Sequence, residues 1–204
     1  MLLTGTTTFN DMYDHMHMVA NAVQQSGMRA VLGRGLLDLD GEGDERLDEA
    51  IELVEEYRHH DRIKPVISPH AVYTASEELL REAKDISRIF ETPYHIHVSE
   101  TSGEVEDSRE ERDMTPLEYL DYLDLVNDDL IAAHGVWLTS GELDVLEEKG
   151  GNVVHNPAAN LKLGSGIADV PGFLDREINV ALGTDGVASN NNLNMFEEMK
   201  ITAI

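Results

Sequence analysis

The sequence predicts an α/β fold in which parallel strands alternate with helices. Apolar strand-like segments and amphipathic helix-like segments follow one another through seven cycles, the pattern of such folds. The strands are apolar enough to suit a parallel sheet that is buried on both faces. Polar residues able to do chemistry recur where strands end, namely Arg34, His70, His97, His134, His155 and Asp185. Functional groups collect at the carboxyl ends of the strands in this class, so the recurrence predicts a site there.

The first half of the chain shows the alternation from its start. The β-branched run Thr6–Thr8, followed by Phe9, predicts a first strand. Apolar residues at helical spacing predict a helix over Leu47–Tyr57. The other elements predicted here are helices at Tyr13–Gln25 and Ala75–Phe90, strands at Met28–Leu32 and Lys64–Ser68, and an acidic loop at Leu37–Arg46.

The second half continues the same pattern. Pro93 precedes a strand that carries His97, and an acidic stretch at Gly103–Asp113 predicts a loop. The last predicted strand, Ile178–Leu182, leads into the sequence Gly183-Thr184-Asp185-Gly186. The other predicted elements are helices at Pro116–Leu125 and Ser140–Lys149, strands at Leu130–Ala133 and Asn152–Val154, and the start of a helix within Asn190–Ile204.

Composition limits the classes of partner. The formal net charge of −25 argues against nucleic acid and against anionic membranes as partners. The acidic residues are spread along the chain and lysine is scarce, which predicts a halophilic protein kept soluble in concentrated salt, with an acidic surface in an ordinary cytoplasm as the alternative. The chain has no cysteine, so a metal would have to be held by histidine and carboxylate. No long apolar run or signal peptide opens the chain, which predicts a cytoplasmic protein.

The segment Tyr94–Thr101 is the strongest candidate for chemistry. Side chains alternate faces along a strand, so His95 and His97 share one face, and Glu100 follows where the strand should end. An imidazole ligand beside a carboxylate suits a hydrolytic metal site, because one group holds the cation and the other moves a proton. The alternative from this segment alone is two core histidines and a surface glutamate.

Six blocks of the sequence resemble the amidohydrolase superfamily, and within it the deaminases of 5′-methylthioadenosine and S-adenosylhomocysteine. Guanine deaminases and chlorohydrolases look similar in several of the same blocks. The blocks are Thr4–Tyr13, Ser68–Ser76, His95–Ser102, Ala133–Leu138, Val154–Gly166 and Leu182–Asn192.

The resemblance implies a TIM-type (β/α)8 barrel of the metal-dependent hydrolase kind. At 204 residues the chain is short for a complete barrel, which usually needs about 250. We therefore expect residues 1–204 to form a partial barrel domain covering strands 2 to 8. The first strand with its His-x-His pair and the flanking β domain are expected to be absent from it.

The resemblance also implies roles for four residues in a hydrolytic deamination. His97 would be a zinc ligand, and Asp185 both a ligand and a proton acceptor. Glu100 would protonate a ring nitrogen of the purine, and His134 would steer the attacking water. The implied cofactor is Zn²⁺, with another divalent metal as an alternative, and ammonia would leave after attack by metal-bound hydroxide.

Three further residues match substrate-binding positions of these deaminases. His70 would contact the substrate, and Arg34 and Arg46 would contact the ribose end or an amino-acid carboxylate. Glu100 would also bind the purine. The implied partner is a small-molecule purine nucleoside, and a homo-oligomer is possible.

Two alternatives to the adenine nucleoside deaminase stay open. One is an amidohydrolase that acts on another heterocycle, such as guanine or a chloro-triazine. The other is a catalytically silent barrel fragment, and we expect the 204-residue chain alone to be weakly active or inactive. His155 either lines the floor of the pocket or supports Asp185.

Overall fold

The computed structural model describes residues 1–203, so the last residue of the predicted domain, 204, lies outside it. The chain divides into two compact units. The N-terminal unit comprises residues 7–96 with Leu2, and the C-terminal unit comprises the residues from His97 onwards with Met1 and residues 3–6. Of the 203 residues described, none lies in a helix long and apolar enough to cross a membrane.

The N-terminal unit is built on a parallel sheet with the strand order β1-β2-β3, and β4 pairs with β2. Its elements are β1 (Thr8–Tyr13), α1 (Met16–Ser26), β2 (Arg29–Leu36), α2 (Gly43–Tyr57), β3 (Ile63–Pro65), β4 (Ser68–Pro69) and α3 (Glu77–Phe90). A Cβ atom on Gly33 would lie 1.9 Å from Ser68 Oγ, so only glycine allows β2 and β4 to approach this closely.

The core of this unit lies between the helices and β2. Leu32 on β2 and Ile63 on β3 are fully buried, and they pack with Met16, Ala20 and Leu53 from α1 and α2. Burying a leucine or isoleucine side chain stabilises the fold by about 1.5–3 kcal/mol, so this cluster fixes both helices on the sheet.

The sheet of the C-terminal unit has the strand order β5-β6-β7-β8, and its β6–β7 and β7–β8 pairs are parallel. The strands are β5 (Tyr94–Val98), β6 (Leu130–His134), β7 (Asn152–His155) and β8 (Asn179–Leu182). The helices are α4 (Ser102–Arg112), α5 (Pro116–Tyr122), α6 (Ser140–Lys149), α7 (Pro157–Leu163), α8 (Val170–Asp175), α9 (Val187–Asn190) and α10 (Met195–Thr202). A short 3-10 helix, Leu2–Thr4, opens the chain.

The predicted α/β class with parallel strands is confirmed, but several boundaries are wrong. The acidic stretch predicted as a loop is helix α4, because the Thr101 hydroxyl caps the Glu104 N–H and Val105 is buried. The first strand begins at Thr8 instead of Thr6. The strand predicted as Lys64–Ser68 is two short strands, and α7 and α8 were not predicted.

Two of the predicted site residues lie in elements other than those expected. Arg34 is inside β2, which continues to Leu36, and does not follow the strand. Arg46 lies in the first turns of α2, because the helix begins at Gly43, and not in the loop before it. Glycine residues near both positions favour loops locally, but tertiary pairing overrides such local preferences.

Candidate functional site

The carboxyl ends of β5 and β6 bring His97, Glu100 and His134 together in the C-terminal unit. Ile96 and Val98 on β5 are fully buried, which fixes the strand and leaves His97 half-buried at its end. The His97 and His134 rings stack with their centroids 5.4 Å apart. Glu100 Oε2 lies 3.8 Å from His134 Nε2, close enough for an ion pair when the imidazole is protonated.

His134 is held in one orientation by Asn160 on α7. His134 is 2% exposed, and its Nδ1 lies 2.8 Å from Asn160 Oδ1. An amide oxygen only accepts hydrogen bonds, so Nδ1 carries the proton and donates it. In the neutral ring Nε2 is then the basic nitrogen, and it is the one that faces Glu100.

Glu100 is oriented by a second chain of contacts. Its Oε1 accepts a hydrogen bond of 3.4 Å from the Ser165 hydroxyl. The carbonyl of Ser165 in turn accepts the indole N–H of Trp137 at 2.7 Å. The Glu100 side chain is 20% exposed, so it can meet a ligand while its direction is fixed.

Three residues at this sheet edge hold left-handed backbone conformations. Ser99 has φ 51°, His134 has φ 73° and Asp185 has φ 57°. Such conformations cost about 1–3 kcal/mol for a residue other than glycine and cluster at functional sites. All three sit within three residues of the end of β5, β6 or β8, which supports a site at this edge.

His155 ends β7 and is 4% exposed. Within residues 1–203 its Nδ1 has no hydrogen-bond partner, and neither has Asn160 Nδ2. Burial, and then the charge of His134, lower the pKa of His155 from its ordinary value. The imidazole is therefore neutral and offers an uncommitted donor or acceptor in the interior. Towards the Asp185 turn, the backbone carbonyl of His155 accepts the Gly183 N–H at 2.9 Å.

Asp185 lies three residues beyond the end of β8. Its Oδ1 accepts the Gly186 N–H at 2.6 Å, so the carboxylate is partly engaged by its own turn. Across residues 1–203, no three His, Cys, Asp or Glu side chains are placed to hold one metal ion. Imidazole and carboxylate are the donor types that zinc prefers in the absence of cysteine. The described residues therefore offer the donor types that suit zinc.

The predicted substrate-binding arginines lie in the N-terminal unit, and both are already paired with acids. Arg34 binds the carboxylates of Asp14, at 2.5 Å, and Glu49. Arg46 binds both oxygens of Asp40 at 2.6 Å and Glu42 at 3.2 Å. The hydrogen bonds from the Arg46 guanidinium hold the pKa of the Asp40 carboxyl well below its usual range.

His70, the third predicted substrate-binding residue, directly follows β4 as expected. Its Nδ1 lies 2.8 Å from the Thr74 hydroxyl, and that hydroxyl donates to the carbonyl of Ala71 at 3.2 Å. The hydroxyl therefore accepts the Nδ1–H, and Nε2 is the unprotonated nitrogen of the neutral ring. The ring also packs edge-on against Tyr73, with centroids 5.8 Å apart.

Comparison with known proteins places this geometry in a family. The model of the amidohydrolase family matches residues 1–204. The chain belongs to the amidohydrolase family. It is 50% identical over 208 residues to the 5′-deoxyadenosine deaminase of Methanosphaera stadtmanae, covering 100% of this chain and 49% of that protein. It is 45% identical over 208 residues to the 5-methylthioadenosine/S-adenosylhomocysteine deaminase of Thermococcus sibiricus, again covering 100% and 49%.

A solved amidohydrolase structure agrees with the fold. An adenosine deaminase from Xanthomonas campestris with bound zinc superimposes with a TM-score of 0.96 at 37% identity, covering 99% of this chain and 47% of that one. The TIM-type barrel class predicted from sequence, in partial form, is confirmed by this match. This chain spans about half the length of the curated relatives it matches.

Sequence reasoning missed two residues that support this site. Asn160 orients His134, and Glu104 binds the backbone beside Glu100. Asn160 lies within a block that carries the family resemblance, and Glu104 follows a threonine by three residues, the spacing of a helix capping box. Both signals were present in the sequence.

Proposed function

We propose that this chain is the larger part of the catalytic barrel of a zinc-dependent aminohydrolase that deaminates an adenine nucleoside. The observation that carries the proposal is the cluster of His97, His134 and Glu100 at the carboxyl ends of β5 and β6. Relatives at 50% and 45% identity that are named as deaminases of 5′-substituted or 5′-deoxy adenine nucleosides support the reaction type.

His97 and Asp185 would hold the zinc, together with donors that are not among the described residues. Bound zinc supplies Lewis-acid activation of water at neutral pH. The donor types of the site and the zinc in a relative of known structure support this assignment.

The residues of the chain have separate proton-handling tasks. Glu100, fixed by Ser165, donates a proton to the ring nitrogen next to the carbon that is attacked, so negative charge does not build up on the purine. His134 presents its basic Nε2 towards Glu100 and orients the attacking water. Asp185 accepts the proton of that water and returns it to the leaving amino group. The oxygen of water replaces nitrogen on the ring and ammonia leaves, while the remaining proton of the new hydroxyl group returns to Glu100.

The charge around the arginines favours a substrate with an uncharged 5′ end. The group of Arg46, Asp40 and Glu42 contains one cation and two carboxylates, and so does the group of Arg34, Asp14 and Glu49. The family resemblance assigns these arginines to the 5′ end of the ligand, where a carboxylate would add a third negative charge to the group that it meets. We therefore place 5′-deoxyadenosine and 5′-methylthioadenosine ahead of S-adenosylhomocysteine as substrates.

The test is ammonia release by the complete reading frame that contains this chain, loaded with zinc and assayed in high salt. The substrates are 5′-deoxyadenosine, 5′-methylthioadenosine, S-adenosylhomocysteine, adenosine and guanine. We expect release from the first two, and we expect Glu100→Gln to lower kcat at least about 100-fold with unchanged zinc content. Release from guanine alone would discard the nucleoside assignment. A Glu100→Gln enzyme of normal kcat would remove Glu100 from the reaction.

A further inference from the structure

Glu104 is a buried carboxylate whose partners lie upstream of its own helix. It sits in the first turn of α4 and is 8% exposed. Its Oε1 accepts the Ser99 N–H at 3.0 Å, and its Oε2 accepts the Glu100 N–H at 2.6 Å. The two oxygens therefore bind two consecutive backbone groups of the turn that carries Glu100.

The tetrapeptide that contains Glu104 occurs a second time in the chain, and there its glutamate makes a different contact. Thr-Ser-Gly-Glu occurs at 101–104 and again at 139–142, and each threonine caps the N–H of its glutamate. In α6, Glu142 Oε2 reaches back to the N–H of its own capping residue, Thr139, at 2.7 Å and completes a capping box. In α4 the glutamate reaches one and two residues further upstream.

The two N–H groups that Glu104 binds belong to a turn with a strained backbone conformation. Ser99 has φ 51°, a conformation that serine adopts only when its surroundings hold it there. The Ser99 carbonyl also accepts the Trp137 N–H at 2.9 Å, so both polar groups of its backbone are engaged. The Glu104 carboxylate is the group that binds the amide side of this turn.

Burial raises the pKa of Glu104 to about 7, although the backbone N–H groups of Glu100, Ser99 and Thr101 oppose the shift. A carboxylate at this position is therefore costly to ionise. A costly buried charge that accepts hydrogen bonds from the turn beside Glu100 fits a role in holding that turn.

We propose that Glu104 is a positioning residue that holds the Ser99–Glu100 turn so that the Glu100 carboxylate faces His134. Its consequence for catalysis rests on the proposed function, whereas its consequence for the turn does not. Glutamine at position 104 keeps one acceptor and presents an NH2 group to the second N–H, so it loses at least one of the two hydrogen bonds.

The experiment compares Glu104→Gln with Glu142→Gln in the complete zinc-loaded protein. Glu142 is the matched control because it is a buried glutamate in the same tetrapeptide, 2% exposed, and accepts hydrogen bonds from Thr139 N–H and the Thr115 hydroxyl, away from Glu100. Amide hydrogen exchange of Ser99 and Glu100 measures the turn directly. Steady-state kinetics with 5′-deoxyadenosine and zinc content measure the catalytic consequence.

We expect Glu104→Gln to speed exchange at residues 99 and 100 and to lower kcat about 10- to 100-fold, with KM and zinc content within about twofold of wild type. Glu142→Gln should change exchange at Thr139 and leave kcat within about twofold.

If the wild type is active and the two variants have equal kcat, the proposal is overturned. If the wild type released no ammonia, the proposed function would fail, and unchanged exchange at 99 and 100 in Glu104→Gln would separately overturn the positioning role. Should Glu104→Gln fail to fold, Glu104→Asp, which keeps both oxygens on a shorter stem, replaces it under the same criteria.

Discussion

The side chains around His134 carry unmatched polar groups, whereas Arg34 and Arg46 of the N-terminal unit are each matched by two carboxylates. Near His134, the buried His155 Nδ1 and Asn160 Nδ2 have no hydrogen-bond partner within residues 1–203. Arg46 and Arg34, by contrast, bind acids at 2.5–3.2 Å and are only 12% exposed. The buried polar atoms near His134 can still bind a ligand, whereas Arg34 and Arg46 are already paired with carboxylates.

The difference separates two uses of polar residues in one chain. A buried polar atom without a protein partner costs free energy, so it is a place where a water, an ion or a ligand can bind. A saturated ion-pair group contributes to local structure and to the local electrostatic field. The predictions below test whether the two regions behave in these two ways.

The largest effect is expected from His134→Ala. It removes the basic nitrogen beside Glu100 and should lower kcat about 1,000-fold or more for any nucleoside that the wild type deaminates. His17→Ala is the matched control, because His17 pairs with Glu56 at 3.2 Å on the exposed part of α1 and should leave kcat unchanged. A His134→Ala enzyme within tenfold of wild type would mean that the unmatched region is structural.

A smaller effect is expected from Asp40→Asn in the arginine region. The substitution removes one of the two carboxylates that neutralise Arg46, so a ligand carboxylate would be better tolerated. We expect kcat/KM for S-adenosylhomocysteine to rise about three- to tenfold relative to 5′-deoxyadenosine. Glu77→Gln, which weakens a surface pair with Arg81, should leave the ratio unchanged. An unchanged ratio in Asp40→Asn would assign these arginines to structure alone.

The smallest effect concerns stability and pH. Because the pKa of His155 is lowered in the folded state, the unfolded chain binds its proton more readily, and the free energy of unfolding should fall as pH drops below about 6.5. The loss from one such group reaches about 1 kcal/mol per pH unit. His155→Gln should flatten the curve between pH 7 and 5.5, measured by denaturant unfolding of the zinc-loaded protein. Parallel curves for wild type and variant would show that His155 takes up its proton in the folded state.

The sequence predicted the strand ends that carry His97, Glu100 and His134, because alternation and apolar runs locate strand termini well. It could not predict which polar groups are already paired. The acids that neutralise Arg34 lie 20 and 15 residues away in the chain, and only the pairing of β1 with β2 and the packing of α2 bring them near. Local composition also led to a wrong prediction at α4. The acidic residues there suggested a loop, although Thr101 and Glu104 carried a capping signal.

The Ser99–Glu100 turn acts as a small anion-binding site, and the carboxylate that it binds belongs to the same chain. Glu104 lies four positions after Glu100, the second of its two N–H donors, so the effective concentration of the carboxylate at the turn is set by the chain and does not depend on the solution. Removing the side chain, as in Glu104→Ala, would leave a cavity that matches a free carboxylate of the size of acetate. On the proposed positioning role, the alignment of Glu100 then depends on how often a carboxylate occupies this turn.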